Sequence, residues 1–494
     1  MKNIQIDWLK DTKQPVEIHT RRGSFGRYTA LAGAALTSLL LAAQPAHAGS
    51  IFYILMENHN LTQPTNVTSP QQILGNAAAP YLNSLLTPGN PNAAQASWAT
   101  KYFNAGNNVH PSEPNYVWAE AGSDFGFHSD ADPSPANGNT FYDLSNHLSK
   151  QFTTEGITWK NYQEDVDLSA SPTNSASGTN GPINAYNGTR QFNYAVKHNP
   201  EAFFADSATA NVFPLTQLSA DLSANTVGEF NYITPDQFND AHSALNGGFI
   251  YNGTHFTGDQ ASIAQGDNFL SQVIPQIMAS KAYQNNGVIV IWWDETEGGD
   301  TSGFALPEIV ISKLAKGNGF ASSVQMNHSS DIKTWEEVFG FSFLNNPIPV
   351  GETNVNGGFN NVATVNDLSD LFKPRVIPQV PQVSIIPGEQ LHLPFSTNVF
   401  QIVFIQNNGE SSIPNPMFLE LNNLSSNATL VNATGTSSVI APLGSPYIQV
   451  FAGDDDADDV LRPHEFRLVV LEFSDSNKGP ITYTPRLLPV TPAP

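Results

Sequence analysis

IFYILM at residues 51–56 is followed by Glu-Asn, and VIVIWW at residues 288–293 is followed by Asp-Glu. Both runs are short, continuously apolar and rich in β-branched and aromatic residues, which indicates strands buried on both faces of a sheet. The carboxyl ends of parallel strands meet at one edge of an α/β sheet, where ligands bind. The sequence therefore predicts that these four polar side chains lie together at such an edge.

The chain between residues 51 and 372 alternates apolar runs with polar loops and helix-like stretches. Apolar residues at helical spacing over 267–281 precede the second strand, and 334–339 predicts another short helix. This alternation predicts an α/β fold with a mostly parallel sheet flanked by helices on both faces. The stretch 169–187 is rich in Ser, Asn and Gly without an apolar period, which predicts a long surface loop or lid.

Pro374, Pro378 and Pro381 indicate a stiff linker. After it the pattern of apolar and polar residues changes. Short strand-like segments separated by turn residues follow, and this pattern predicts a small C-terminal antiparallel β-sandwich. The predicted divisions are an export signal over 1–48, a catalytic domain over 49–375, a Pro-rich linker over 376–382 and the sandwich over 383–494.

The N-terminal 48 residues have the pattern of an export signal. Arg21 and Arg22 precede an apolar, uncharged stretch from Tyr28 to Ala43, and small residues surround a cleavage point near Ala48. The long charged region favours a twin-arginine signal, with a general secretory signal or a retained anchor as alternatives. The apolar stretch is short for a transmembrane helix. We therefore expect a periplasmic or secreted protein without an integral membrane segment after signal removal.

The whole chain carries a net charge of −23 and contains no cysteine. Such a charge argues against nucleic acid and anionic membrane surfaces as partners. It would also repel a phosphate ester at long range, so such a substrate needs local positive charge, for which a bound metal ion is the obvious source. The absence of cysteine excludes disulfides and thiolate ligands, and leaves Asp, Glu, His, Asn or Ser to bind a metal.

A serine hydroxyl lies on a Pro-flanked turn, in the segment HPSEPNY at residues 110–116. A serine is a poor nucleophile at neutral pH unless a metal or a base activates it. Ser112 meets this need if it coordinates an ion held by Glu57 and Asp294, and Asn115 would then donate its amide N–H to a phosphoryl oxygen. The combination predicts a metal-assisted ester hydrolase. An ordinary turn with capping side chains is the alternative for Ser112 and Asn115.

Five short motifs occur in register over roughly residues 51 to 340. They are Met56-Glu57-Asn58-His59, the segment 110–116, Ile233-Thr234-Pro235-Asp236 with Asn239-Asp240-Ala241-His242, Trp293-Asp294-Glu295, and LPEIVIS at 306–312 with His328-Ser329-Ser330 and Glu336. Together they resemble the bacterial and fungal phosphoesterase family, which contains acid phosphatases and phospholipases C within the alkaline phosphatase superfamily.

The resemblance implies a divalent metal site. Its ligands would be Glu57, Asn58, Asp294 and Glu295, with Ser112 completing the site as the nucleophile that forms a phosphoserine intermediate. The identity and number of the ions stay open among Zn, Ca, Mg and Mn.

The resemblance also places Asp240, His242 and His328 at the pocket. There they would bind a second metal ion, contact the phosphate or protonate the leaving group, so that His242 and His328 join Ser112 and Asn115 as candidate catalytic residues. His110 and His198 are left open between a site contact and a structural role.

The segment after residues 297–299 lacks the Tyr-Asp-His found in many phospholipase-type members. The sequence therefore predicts an exported metal-dependent phosphoesterase that hydrolyses phosphate monoesters, with a phosphorylated small molecule or a phospholipid headgroup as its partner. A phospholipase C-type phosphodiesterase is the nearest alternative. A non-catalytic envelope-binding protein, whose β domain carries the function, is the alternative from another class.

Overall fold

The structure is a computed structural model. It describes residues 49–106, 108–134, 146–169, 172–178, 182–348, 362–374, 380, 382–392, 398–414, 416–437, 440, 442–450, 460–475 and 479–489. The predicted export signal and most of the predicted linker lie outside these residues.

The first part of the chain alternates strands and helices. Its strands are β1 (Ile51–Met56), β2 (Ala96–Ala99), β3 (Tyr102–Phe103), β4 (Trp159–Gln163), β5 (Ala176–Gly178), β6 (Phe192–Tyr194), β7 (Val212–Pro214), β8 (Phe230–Thr234), β9 (Phe249–Tyr251), β10 (Thr254–Phe256), β11 (Val288–Trp293), β12 (Glu308–Ser312), β13 (Phe320–Ser322) and β14 (Met326–Asn327). Its α-helices are α1 (Pro80–Leu86), α2 (Ser112–Ala121), α3 (Leu148–Glu155), α4 (Gln217–Ala224), α5 (Asp259–Ala279), α6 (Lys281–Gln284) and α7 (His328–Phe339). Short 3-10 helices occur at Pro91–Gln95, Val196–His198, Pro200–Phe203 and Ser369–Leu371.

The main sheet has eight strands in the order β13-β2-β12-β11-β1-β8-β4-β7. Strand β12 is antiparallel to both of its neighbours, and every other pairing is parallel. Strands β1 and β11 are adjacent and buried along their whole length, as their continuous apolar runs require. The predicted mostly parallel sheet is confirmed.

Helices cover both faces of this sheet. Tyr53 of β1 packs against Trp335 of α7, with ring centroids 5.7 Å apart. Met56 lies three residues further along the strand and points to the opposite face. There α5 approaches so closely that a Cβ on Gly266 would lie 3.2 Å from Met56 Cε and 2.8 Å from Ala241 Cβ. The central strand is therefore covered on both faces, and its carboxyl end carries Glu57.

The predicted starts of two helices are wrong. Helix α5 begins at Asp259 rather than at residue 267, because its first turns bury small and polar residues that show no apolar period. Helix α7 begins at His328 rather than at residue 334, where the Asn327 side chain accepts from Ser329 N at 3.0 Å and Ser330 Oγ accepts from Asn327 N at 3.0 Å. Within the predicted lid, β5 pairs with β6 as a short antiparallel ribbon.

The C-terminal part is made of antiparallel strands, and the predicted sandwich is confirmed. Its strands are β15 (Val383–His392), β16 (Asn398–Asn407), β17 (Ile413–Pro414), β18 (Met417–Asn422), β19 (Thr429–Leu430), β20 (Gly435–Thr436), β21 (Pro446–Val450), β22 (Val460–Leu461), β23 (Phe466–Ser474) and β24 (Thr484–Leu488). Two four-stranded sheets, β15-β16-β23-β19 and β20-β21-β18-β24, bury one shared core that includes Val403, Leu419, Leu471 and Leu487.

We propose that residues 49–375 and 383–494 are separate domains, because their buried apolar residues form separate cores. The first of these domains extends at least to residue 373, since Lys316 N donates to Leu371 O and Lys373 N donates to Leu314 O. A fragment of residues 49–376 is therefore expected to fold alone and to melt cooperatively. Circular dichroism of the purified fragment tests this, and an insoluble or molten fragment would mean that the sandwich completes the catalytic fold.

Within the described part of the chain, no helix combines the length and the apolar character needed to cross a bilayer.

Candidate active site

The polar residues that follow β1 and β11 meet at the carboxyl edge of the sheet. Asn58 N donates to Asp294 Oδ1 at 2.9 Å, and the Asn58 side-chain amide donates to Glu295 Oε1 at 3.3 Å and to Glu297 Oε1 at 2.8 Å. Glu57 and Asp294 are fully buried. Because β1 and β11 are parallel and in register, the structure brings these predicted ligands together.

Ser112 is the first residue of α2 and points into this group. Its Oγ lies 3.1 Å from Glu57 Oε2, 3.4 Å from Asn58 Oδ1 and 3.4 Å from Glu295 Oε1. As the first residue of a helix it also lies beside backbone N–H groups that have no partner within the helix. The serine oxygen therefore lies among hard oxygen groups at the positive end of a helix dipole.

Asn115 holds the turn that carries the serine. Its side-chain amide donates to Val109 O at 3.0 Å and to Pro111 O at 3.3 Å, and the residue is fully buried. In this structure the amide N–H therefore fixes the backbone before α2 instead of pointing at a phosphoryl oxygen.

A buried histidine, His198, links Glu57 to Asp240. His198 Nε2 lies 2.8 Å from Glu57 Oε1, and its Nδ1 lies 3.4 Å from Asp240 Oδ2. Burial alone would lower the pKa of His198, but the Glu57 charge and the bonds to both carboxylates raise it to about 9. Burial would likewise raise the pKa of Glu57, yet the His198 charge holds it well below its usual range. The two side chains therefore form a buried ion pair at neutral pH.

His242 reaches the same carboxylate from the open side. Its Nε2 lies 3.8 Å from Glu57 Oε2, and about a third of its side chain is exposed. The loop that carries it is folded by two contacts to Asp240: His242 N donates to Asp240 Oδ1 at 2.8 Å, and Glu57 N donates to Asp240 O at 2.9 Å. Asp240 and His242 thus join the site through Glu57.

His110 contacts the group through Glu295. Its Nδ1 bonds Glu295 Oε2, and its Nε2 lies 2.9 Å from Asp300 Oδ1. Burial would lower the pKa of His110, but the bonds to Asp300 and Glu295 raise it to about 10. His110 therefore carries a positive charge next to a predicted metal ligand.

The structure does not bring His328 to this group. His328 Nε2 donates to Trp293 O at 3.1 Å, and its ring packs between Tyr102 and Trp292, with centroids 5.7 Å and 4.7 Å away. Burial lowers the pKa of His328 to about 3, so the ring is neutral. At this position it supports the end of β11, one residue before Asp294, and contacts the backbone of the strand rather than the cluster.

Replacing His328 by leucine is expected to flatten the pH dependence of stability below pH 6.5. The folded pKa lies below the unfolded one, so in the wild type the unfolded state binds the extra proton between about pH 6.5 and 3. Stability is full above that window and falls by about 1.4 kcal/mol per pH unit within it. Urea unfolding at pH 7 and pH 5 measures this, with the exposed His464 as the control position. Equal slopes in wild type and His328→Leu would contradict it.

The donor set at the edge fits a divalent cation. Burial first, and then the charges of Glu57 and Glu295, raise the pKa of Asp294 well above its usual range. Burial also raises the pKa of Glu295. Asp294 Oδ2 is buried and has no hydrogen-bond partner. Carboxylate and amide oxygens are what Mg²⁺, Ca²⁺ and Mn²⁺ prefer, and a cation would satisfy this orphaned oxygen.

Two charged residues at the site were missed or left open from the sequence. His198 lies in a short 3-10 helix with no periodic signal, and only the fold brings it to Glu57. Lys197, next to it, has a pKa that burial would lower but that the charges of Glu57 and Asp130 raise, and its Nζ lies 2.9 Å from Asp130 Oδ2. The segment Lys197-His198-Asn199-Pro200 is a signal that could have drawn attention to both residues, but it is also compatible with a helix cap.

A serine at a helix N-terminus, facing carboxylates at the carboxyl edge of a mostly parallel sheet, defines a hydrolase of the α/β class. The sequence model of the phosphoesterase family matches residues 93–342, about half of the chain. The chain therefore belongs to the phosphoesterase family, and the predicted resemblance is confirmed. The matched range begins after Glu57 and Asn58, so their place at the site rests on the geometry.

Curated relatives agree with this assignment. The chain is 26% identical over 272 residues to a phosphatidylinositol-3-phosphatase of Mycobacterium tuberculosis, covering 55% of this chain and 73% of that protein. It is 27% identical over 214 residues to a phosphate-repressible acid phosphatase of Penicillium chrysogenum, covering 42% of each. Among solved structures, a protein in the alkaline phosphatase superfamily from Vibrio parahaemolyticus has a TM-score of 0.37 at 11% identity, covering 72% of this chain and 76% of that one.

Proposed function

We propose that the chain is an exported, metal-dependent phosphatase that hydrolyses phosphate monoesters through a phosphoserine intermediate. The observation that carries the proposal is the position of Ser112 Oγ, between 3.1 and 3.4 Å from the oxygens of Glu57, Asn58 and Glu295. An ordinary capping serine would instead bond a backbone N–H of its own helix.

The metal would be held by Glu57, Asn58, Asp294 and Glu295. When bound, a divalent ion there would supply positive charge that favours the serine alkoxide and the phosphoryl oxygens. The protein's own residues would do the rest. The Ser112 proton would pass to solvent, because the pKa of Glu57 is held too low for this carboxylate to act as the base, and Glu57 would stay ionised beside His198. The Oγ–P bond would then form as the bond from phosphorus to the leaving oxygen breaks.

Positive side chains around the site would offset the acidity of the chain. His198, Lys197 and His110 carry charge within or beside the cluster. His242 Nε2 lies 3.8 Å from Glu57 Oε2 on a partly exposed side chain, and we assign to it the protonation of the leaving alcohol. Water would then hydrolyse the phosphoserine by the reverse sequence of proton transfers.

The substrate class is a phosphorylated small molecule or the phosphorylated headgroup of a lipid. Support for a monoester comes from the two relatives, whose names describe phosphatases. A phospholipase C-type diesterase is the alternative within the same site. A silent binding protein is the alternative from another class. The buried carboxyl and histidine groups with shifted pKa values around a hydroxyl argue against it, since such groups concentrate at catalytic sites.

Export is proposed from the sequence of residues 1–48 alone. Cell fractionation followed by N-terminal sequencing of the mature protein tests it, and an intact N-terminus in the cytoplasmic fraction would contradict it.

The decisive experiment uses metal-free protein reconstituted with single divalent metals and assayed against an aryl phosphate monoester and the matching diester. We expect metal-dependent release of inorganic phosphate from the monoester at a higher kcat/KM than turnover of the diester. Faster turnover of the diester would favour the phospholipase C-type alternative. If neither the monoester nor the diester is turned over with any metal, the non-catalytic binding protein is the remaining hypothesis.

A further inference from the structure

Three carboxylates outside the Ser112 site converge where β4 and β8 end. Glu164 and Asp165 directly follow β4, and Asp236 follows β8 by two residues. Each offers one oxygen, and these oxygens lie within 4.8 Å of one another. Glu164 and Asp236 are buried, and Asp165 is half-buried.

The neighbours of this carboxylate group are neutral. Glu164 Oε1 accepts from Asn184 Nδ2 at 2.7 Å and from Asn239 Nδ2 at 2.9 Å, and Glu164 Oε2 accepts from Asp236 N at 2.9 Å. Among the described residues, hydrogen bonds to the group come from amide and backbone N–H donors and not from a lysine, arginine or histidine. Burial, followed by the Asp165 charge, raises the pKa of Glu164 to about 7.

One carboxylate oxygen of the group has no hydrogen-bond partner. Asp236 Oδ1 accepts from Phe238 N at 3.0 Å and from Asn239 N at 2.8 Å. Asp236 Oδ2 is buried without a hydrogen-bond partner, on a residue that is 1% exposed, and the Asp165 carboxyl lies within hydrogen-bonding reach. A buried acceptor without a partner is destabilising. A shared proton or a cation would remove that cost.

We propose that Glu164, Asp165 and Asp236 bind a calcium ion at a second site, separate from the Ser112 site. The donors are all oxygens, which disfavours Zn²⁺. Calcium takes oxygens at about 2.3–2.6 Å, so two opposite ligands lie up to about 5 Å apart, in keeping with the spread of this group. Magnesium, at about 2.0–2.1 Å, needs a tighter cage than these loop-borne groups supply.

The ion would join three segments that lead to the catalytic group. It would connect the ends of β4 and β8, and Asn193 N of β6 donates to Asp165 Oδ2 at 3.2 Å, which adds β6 as the third segment. Asp236 O accepts from Asp240 N at 2.9 Å. Since Asp240 contacts His198 and holds the loop of His242, calcium here would stabilise the wall of the active site without contacting the substrate.

The test measures calcium binding rather than turnover, so a failure of the proposed phosphatase activity would leave it standing. Metal-free full-length Asp294→Asn protein, in which the Ser112 site is disabled, is compared with the double variant Asp294→Asn/Asp236→Asn in calcium alone. We expect about one fewer calcium ion per chain in the double variant by elemental analysis. The calcium affinity should fall by at least about tenfold, and the calcium-induced rise in melting temperature should be lost.

The matched control is Asp267→Asn in the same background. Asp267 is buried and accepts from Tyr81 N at 2.9 Å and Leu82 N at 2.7 Å, away from the cluster. This control should keep the calcium ion. If Asp236→Asn does not fold, Asp165→Asn on the half-buried residue replaces it. Calcium retained in the cluster variants overturns the proposal. An Asp294→Asn protein that binds no calcium also overturns the proposal. A proton shared between Asp165 and Asp236 would then account for the buried Asp236 oxygen.

Discussion

Ser112→Ala is expected to lower kcat for an aryl phosphate monoester by roughly 10⁶-fold, the scale on which loss of a covalent nucleophile acts in a serine protease. The Oγ is the atom that approaches Glu57, Asn58 and Glu295 together. Without this oxygen the protein cannot form its covalent bond to phosphorus, and the residual rate would come from direct attack by water. Steady-state kinetics with the reconstituted metal measures the loss, and mass spectrometry of the acid-quenched wild type should find one added phosphate on the peptide that contains Ser112.

Ser262→Ala is the matched control for this change. Ser262 is also a buried serine near the start of a helix, and its Oγ donates to Asp259 O at 2.8 Å, far along the chain from the cluster. It should keep kcat within a few-fold. A Ser112→Ala protein that keeps more than about a tenth of wild-type activity, a barrier change of only ~1.4 kcal/mol, would remove Ser112 as the nucleophile.

The polar residues that follow β1 and β11 were predictable from the sequence, because they stand at the ends of recognisable strands. Two continuous apolar runs specified β1 and β11 and the polar residues that end them at one edge of the sheet. Their pairing as adjacent parallel strands is seen only in the structure. The Pro-flanked turn drew attention to Ser112, but an ordinary capping turn was an open alternative, and only the structure shows its Oγ beside Glu57. His328 was also singled out by a short motif, but its ring packs against Tyr102 and Trp292 instead of the Ser112 site. It lies in the first turn of α7, which the apolar period did not reveal.

His198 and Lys197 could not be placed for a different physical reason. They lie in a 3-10 turn whose position depends on contacts distant in sequence, such as the stacking of the His198 ring on Tyr116 at 4.8 Å. The cluster of Glu164, Asp165 and Asp236 is similar, since it forms only where β4 and β8 end side by side. Strand periodicity predicts which residues end a strand, but it does not predict which distant strand becomes the neighbour.

Asp294→Asn is expected to remove the metal from the Ser112 site and to lower kcat/KM by at least about 10²-fold, as loss of charge stabilisation does in other enzymes. The substitution keeps the Oδ1 that accepts from Asn58 N at 2.9 Å, so the backbone between β1 and β11 stays supported. It replaces the buried Oδ2, which has no hydrogen-bond partner, by an amide that cannot bind a cation. Glu57→Gln should share the phenotype, since both residues would bind one ion.

The melting temperature provides a second test, because the difference between Asp294→Asn and wild type should have opposite signs without and with metal. In metal-free protein, burial first, and then the charges of Glu57 and Glu295, make the ionised form of Asp294 costly, as its raised pKa shows. Asp294→Asn removes a carboxyl that must either stay charged among these groups or take up a proton to fold, so the metal-free variant should melt at a higher temperature than metal-free wild type. With saturating metal the order should reverse, because only the wild type gains binding energy at this site. Melting curves that keep the same order with and without metal, or full metal occupancy in the purified variant, would show that Asp294 is not a ligand.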